Sequence, residues 1–404
     1  MTSNTASSST MPPHPTYSIF THSVGYHTAS HSLLTKLDAI ASAGIQGVEI
    51  FTDDLWAFAQ SSTFTAILSA TASVASSASG ELLTPPDSPL SRPAQLRKPS
   101  ASEEKDCYSA YGKCTYDEAQ RELAAAAYVA KYCEARALAV VCLQPLRDVE
   151  GWVRDEDRSS AMERVRSRFA VMQALNTELL LICSSNTPAP LTTGDTAAIV
   201  RDFRHISAMA SEFSAATGHS VKVGYEALSW GAHVDVWSHA WRVVRDTARD
   251  NVGLILDSFN TLAREFADPC SPSGIQEPAD RTMASLTASI ARIADVPGDK
   301  IFLLQIGDAC RMPKPLLPSP REDEPRPARM IWSRSSRLFP CEVERGAFMP
   351  VAQFVRAVVK AGYSGAWSIE VFNDSLDDAD GAVPAEHAVR ARAGLDRLVE
   401  AVYA

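Results

Sequence analysis

The chain predicts a (β/α)8 barrel, an α/β fold of eight parallel strands with helices between them, and three observations point there. Four apolar runs in the C-terminal half each close on a residue with an oxygen donor: Val221-Lys-Val-Gly-Tyr-Glu226, Val252-Gly-Leu-Ile-Leu-Asp257, Ile301-Phe-Leu-Leu-Gln305 and Ala366-Trp-Ser-Ile-Glu370. Short apolar runs of this kind are buried parallel strands, and a polar last residue suits a strand whose C-terminal end faces a site. Helical periodicities separate the runs. A helix–turn–strand unit, Ala43-Gly-Ile-Gln-Gly-Val-Glu-Ile-Phe51, is echoed in Ala361-Gly-Tyr-Ser-Gly-Ala-Trp-Ser-Ile-Glu-Val-Phe372. Such barrels take about 250 residues and tolerate long insertions, so the 404 residues fit one interrupted domain, 16–404.

The elements follow in order. Residues 1–15 are rich in Ser, Thr and Pro and predict a disordered tail with no basic or apolar leader region. A first strand spans about Tyr17–His22. Leu33, Leu37, Ile40 and Ala41 share one face of a helix over about Leu33–Ala43, closed by Gly44. Gly47–Phe51 is the second strand. From about 61 to 111 Ser, Ala and Pro dominate, which predicts a low-complexity, largely disordered insertion. Its Ser-Pro and Thr-Pro steps fit phosphorylation sites or, more simply, a tolerated surface insertion.

Thr115-Tyr-Asp-Glu118 has the form of a capping box before a helix that ends near Arg136. Strands follow at Leu138–Gln144 and Leu179–Cys183, with a helix over about Ala161–Leu175 between them. Ile199, Phe203, Ile206, Ala210 and Phe213 stripe a helix closed by Gly218. Trp237, Trp241, Val244 and Ala248 form another stripe, which reads as core packing and not as an aromatic binding face. A Pro-rich charged loop at about Pro313–Pro327, a helix over Val351–Ala361 and a last helix over about Pro384–Val402 complete the chain.

Composition bounds the function. Hydrophobic residues make up 46% and charged residues 21%, as in a soluble protein with a large core, and the net charge of −10 argues against a nucleic-acid partner. No segment is long and apolar enough to span a bilayer, so a cytoplasmic protein without a membrane partner is expected. The eight cysteines form no Cys-x-x-Cys pair, which excludes a zinc ribbon or thioredoxin motif; Cys142 and Cys183 read as inert core thiols. No His-Glu-x-x-His helix, nucleophile elbow, P-loop or dinucleotide fingerprint occurs.

Alternation along a strand puts Gly224 on the face of Glu226, Ile255 on that of Asp257, Leu303 on that of Gln305 and Ser368 on that of Glu370. If all four polar ends point into the barrel mouth, three negative charges converge beside one amide. That arrangement is costly alone and suits one hard divalent cation. The competing reading is that one or two of them pair with an arginine or cap a helix. Glu49 ends a similar run and lines the pocket or makes a structural ion pair. Gln144 and Arg147 emerge at the active face of the third strand, where Arg147 could clamp a carboxylate or make a surface salt bridge. Ser333, Arg334 and Arg337 fall on the loop after the seventh strand and suit an anionic, polyhydroxylated ligand, although solvated charges look the same. His31 and His233 follow the first and fifth strands and could reach the pocket.

Taken in order, further segments carry a resemblance: His31-Ser-Leu-Leu-Thr-Lys-Leu37, Gly47-Val-Glu-Ile-Phe51, Leu143-Gln-Pro-Leu-Arg147, Glu226-Ala-Leu-Ser-Trp-Gly231, Leu256-Asp-Ser-Phe-Asn260, Gln305-Ile-Gly-Asp308 and Trp332-Ser-Arg334. Together they resemble the fungal 3-dehydroshikimate dehydratases of quinate catabolism, within the xylose-isomerase-like barrel superfamily, over about 17–375 outside the insertion. The resemblance implies dehydration of 3-dehydroshikimate to protocatechuate through a metal-stabilised enolate. It implies one divalent cation, Mg2+ or Mn2+ first and Co2+ next, on Glu226, Asp257, Gln305 and Glu370. Arg147, His31 and His233, or a water on the metal, are then the candidates for catalysis. Gln144, Asn260, Ser333, Arg334, Arg337 and Glu49 are the candidates for substrate contact. The wider superfamily often has Asp-x-x-His on the sixth strand and a His on the seventh; here Asn260 and Gln305 stand there, which favours an oxygen site and leaves the proton acceptor unassigned. Two other functions fit the same residues. One is a sugar or sugar-acid isomerase or epimerase. The other is a catalytically silent barrel that binds a metabolite and regulates a partner.

Overall fold

The computed structural model describes residues 14–77 and 106–404. Eight parallel strands close a barrel: β1 (Tyr17–Phe20), β2 (Gly47–Phe51), β3 (Ala139–Leu146), β4 (Leu179–Cys183), β5 (Lys222–Glu226), β6 (Val252–Asp257), β7 (Ile301–Ile306) and β8 (Trp367–Ile369). Each pairs with its sequence neighbours and β8 closes on β1, so this is the expected barrel. Register aligns the inward positions into layers: Ser18 lies opposite Ser368, Ser368 opposite Gln305, and Asp257 opposite Gln305.

The interior is filled by Cys142, Leu181, Cys183, Ile255 and Leu303, while the larger core lies between the strands and the outer helices. The small inward residue at Gly224 does not leave an open channel. A Cβ there would sit 2.4 Å from Cδ1 of Ile255, so the glycine makes room for that side chain and the barrel is packed beneath its mouth.

Local signals in the sequence act as expected. Thr115 and Glu118 exchange hydrogen bonds in a full capping box that starts the helix Tyr116–Glu134, and Gly218 ends the helix Thr196–Thr217 in the left-handed conformation. The echoed units are structural equivalents. Ala43 and Ala361 end their helices, and each unit carries a Glu and, two residues later, a Phe into the barrel mouth.

One reading gains detail and a second is corrected. Within the stretch expected to be largely disordered, the flanks are ordered: a helix spans Ser62–Ser77 and a hairpin pairs Cys107–Ser109 with Gly112–Cys114. Phe64 explains the first flank, because its buried ring packs on Phe58 at 5.1 Å and beside Tyr128. The rest of that stretch, 78–105, and the tail residues 1–13 lie outside the described residues. Second, Ser333 and Arg334 stand on a helix, Ala328–Ser336, and Arg337 begins a short strand paired with Asp308–Ala309. Trp332 anchors that helix, buried against Phe259 with its indole N–H donating to the Cys310 carbonyl.

The last helix, Val383–Tyr403, is tied to the segment after β8 by His387, whose ring bonds the Val383 carbonyl and the Ser375 hydroxyl. Burial, the largest cause, lowers its pKa to about 4. The folded chain therefore favours the neutral ring. This contribution is complete above the unfolded value near 6.5 and is lost as pH falls toward 4. Denaturant titrations of wild type and His387→Gln should show the wild-type advantage shrinking by up to about 3 kcal/mol between pH 7.5 and 4.

Candidate metal and substrate site

At the C-terminal mouth, Glu226 from the end of β5, Asp257 from the end of β6 and Glu370 just past β8 bring carboxylate oxygens within 4.8 Å of one another, all three buried. Gln305, inward on β7, joins them. Its Nε2 donates to Glu370 Oε1 at 3.3 Å and to Glu49 Oε2 at 2.9 Å, while its buried Oε1 has no hydrogen-bond partner. Glu49 is enclosed and also accepts from Gln144 and Ser368. By taking the Gln305 amide N–H it leaves the amide oxygen as the free donor. The four expected donors therefore meet at one end of the barrel, with Asp257 opposite Gln305 and Glu370 just past β8.

The electrostatics is strained in one direction. Burial, then Glu370 and Asp257, push Glu226 well above the ordinary carboxylate range. Burial raises Asp257 to about 6, with Glu370 adding to the rise and Arg337 opposing it. Burial, then Glu370, raises Glu49 to about 8 against the hydrogen bonds it accepts. Among the described residues Arg337 is the one guanidinium bonded into the cluster, 3.0 Å from Asp257 Oδ2 and 2.8 Å from Glu370 Oε2. Three carboxylates against one arginine, with an unclaimed amide oxygen at the same end of the barrel, make an all-oxygen donor set short of positive charge. That is the chemistry a hard divalent cation fits.

Several expected substrate contacts are committed to this scaffold. The Asn260 amide donates to Glu226 at 2.8 Å and to Asp257 at 2.6 Å, and its oxygen accepts from Ser229 N–H. Ser333 accepts from Arg337 Nε at 3.0 Å. Gln144 donates to Glu49 and Glu370. Glu49 makes no ion pair among the described residues; amides and a hydroxyl donate to it. Arg337 is buried among the carboxylates and is not on an open loop. Glu49 and Gln144 stand on barrel strands, Asn260 and Ser333 on helices, and Arg337 on the short strand beside Asp308; their hydrogen bonds hold the carboxylates and the Gln305 amide in place.

The rim carries the remaining charge. Arg334 lies 4.3 Å over the Phe372 ring, and its guanidinium has no carboxylate partner among the described residues. Burial first, then Arg147 and Arg337, lower its pKa to about 10. Arg147 is 3.6 Å from Asp53 and 5.8 Å over Phe51, with its side chain 30% exposed. Neither expected histidine joins them. His31 Nε2 is 2.7 Å from the Asp378 carbonyl, and its ring fills the space against Gly25. His233 Nε2 is 2.9 Å from the Thr192 hydroxyl, with the ring against Gly194. Both follow strands as anticipated, but both pin neighbouring loops.

Sequence reasoning missed His22. It sits past the end of β1, two residues beyond the inward Phe20, in a wall made by Phe20, Phe51 and Phe372. The strand ends at Phe20 and His22 stands in the short 3-10 turn Thr21–Val24, so strand alternation alone does not place its ring.

A closed parallel barrel with oxygen donors at its C-terminal mouth defines the class, and the chain belongs to the xylose isomerase-like TIM barrel family, which matches residues 112–398. The chain is 32% identical over 380 residues to the 3-dehydroshikimate dehydratase of Neurospora crassa, an alignment covering 94% of this chain and 92% of that protein. It is 30% identical over 354 residues to the 3-dehydroshikimate dehydratase of Pseudomonas aeruginosa, covering 88% of this chain but 38% of that longer protein. Among solved structures, a xylose isomerase-like TIM barrel/4-hydroxyphenylpyruvate dioxygenase fusion protein superposes with a TM-score of 0.63 at 26% identity, over 96% of this chain and 43% of that one. Among the described residues no helix is long and apolar enough to cross a membrane.

Proposed function

We propose that the chain dehydrates 3-dehydroshikimate to protocatechuate with one bound divalent cation, Mg2+ or Mn2+. The observation that carries this reading is the pairing of two features at one barrel mouth: a buried oxygen-donor cluster short of positive charge, and Arg334, a rim guanidinium with no carboxylate partner among the described residues. The similarity to the Neurospora crassa enzyme over nearly its whole length supports it.

Glu226, Asp257, Glu370 and the amide oxygen of Gln305 would hold the cation. When bound, it supplies Lewis acidity that lowers the cost of negative charge on a ketone oxygen. The protein supplies the rest. Arg334, with Arg147 across the rim, takes the substrate carboxylate and so fixes which ring carbon faces the cluster. Phe51 and Phe372 give the carbocycle a flat apolar wall. Asn260 and Glu49 hold their carboxylate and amide partners in place through hydrogen bonds that a substrate need not disturb. A carboxylate-binding rim is unneeded for a neutral sugar, which favours the dehydratase over the sugar isomerase. No disulfide forms among the described residues, which suits a reducing compartment such as the cytoplasm.

Metal-stripped protein incubated with 3-dehydroshikimate should form the aromatic product, followed by its ultraviolet absorbance, only after Mg2+ or Mn2+ is returned. Folded protein that forms none with any divalent metal would move the assignment to a sugar-acid isomerase or to a metabolite-binding regulator.

A further inference from the structure

We infer that His22 transfers the proton in this reaction. It would accept the proton from the carbon beside the ketone and return it to the departing hydroxyl, an inference that rests on the dehydratase reading. The histidines and the amide expected to serve the reaction are already engaged. His31 and His233 are bonded to Asp378 and Thr192, and Asn260 is locked between Glu226 and Asp257. The interior thiols of Cys142 and Cys183 are pushed up by burial, so they stay protonated.

His22 differs from all of these. Its ring stacks on Tyr26 at 3.9 Å and 7°, and is braced by Phe51 at 4.5 Å and Phe372 at 5.2 Å, so its orientation is set without a hydrogen bond. Nδ1 is buried and unpartnered, and no hydrogen bond to either ring nitrogen forms among the described residues. Phe372 also carries Arg334 on its ring, which puts the imidazole and the carboxylate clamp on one wall, two residues past Glu370.

Burial, the largest effect, keeps this ring neutral at neutral pH. Asp54 opposes that effect, while Lys36, Arg334 and His27, the other charged or titratable groups facing it, reinforce it. A neutral imidazole can accept a proton and gives it up readily. In the first step the C–H bond breaks, its proton goes to the imidazole and its electron pair becomes the enolate. In the second the enolate electrons expel hydroxide from the next carbon, and hydroxide leaves as water with the imidazolium proton. No oxidant or reductant is needed.

Two variants test the inference. His22→Phe keeps a flat ring on Tyr26 and removes both nitrogens; His22→Ala opens space for added imidazole. His22→Phe should lower kcat by about 10²–10⁴-fold with KM within about threefold, and the rise in Tm on adding Mn2+ should equal that of wild type. Imidazole should restore part of the His22→Ala rate, more at pH values where it is unprotonated. His22→Phe turning over within about threefold of wild type overturns the assignment, as does a slow His22→Ala that imidazole at no pH accelerates. Wild type that forms no aromatic product overturns the dehydratase reading and this assignment together.

Discussion

Glu226→Gln should make the metal-free protein more stable while removing its metal response and its activity. In the wild type this carboxyl is buried beside Glu370 and Asp257, and Arg337 is the single bonded countercharge. Removing one acid relieves like-charge crowding without emptying space, and the amide oxygen can still accept from Asn260. The expected gain is on the order of 1–2 kcal/mol in metal-free buffer, read by denaturant titration. The same change deletes a ligand. Loss of an outer-shell partner alone costs about 10–100-fold in metal affinity, so loss of a direct ligand should exceed about 100-fold. Metal addition should then no longer raise Tm, and product formation should fall by about 10³-fold. A variant that is destabilised, or that keeps its metal-dependent Tm shift, would show that Glu226 serves packing and not the ion.

Arg337→Met should have the opposite signature. Its guanidinium is buried, donates to Asp257, Glu370 and Ser333, and lies 4.1 Å over the Phe259 ring. Methionine retains much of the apolar stem and removes the cation, so Asp257 and Glu370 lose their bonded countercharge and Glu226 loses a nearby one. Breaking a buried ion pair from one side costs about 3–5 kcal/mol. At the proposed metal site Mn2+ would bind the same carboxylates, so saturating metal should return most of that loss, and the gap in Tm between wild type and variant should narrow on metal addition. An equal gap with and without metal would mean that the arginine acts by filling space.

Much of this molecule was legible in one chain. Strand ends at Glu226 and Asp257, the capping box at Thr115 and the left-handed stop at Gly218 are local signals, and each follows from backbone sterics or from alternation within a few residues. The oxygen donors at the mouth were legible for the same reason: a polar residue closing a buried strand has one place to point. Signals weakened where context sets the outcome. Phe64, within a Ser/Ala-rich stretch, orders a helix because Phe58 and Tyr128 receive it. The helix that carries Ser333 and Arg334 depends on Trp332 finding Phe259, more than 70 residues away in sequence.

The sequence by itself determined the barrel, the order of its strands and the four oxygen donors at its mouth, because burial and period-two alternation are properties of short segments. Tertiary structure alone decided which polar side chains remain available. His31 and His233 have the right residue type at the right strand ends, yet a carbonyl at Asp378 and a hydroxyl at Thr192 claim them. Arg337 is drawn into the carboxylates by charge, Asn260 and Glu49 become braces, and Arg334 and His22 keep groups without a hydrogen-bond or carboxylate partner among the described residues. Competition for a hydrogen-bond or charge partner is settled between strands and loops far apart in the chain, so it becomes visible only when the barrel closes.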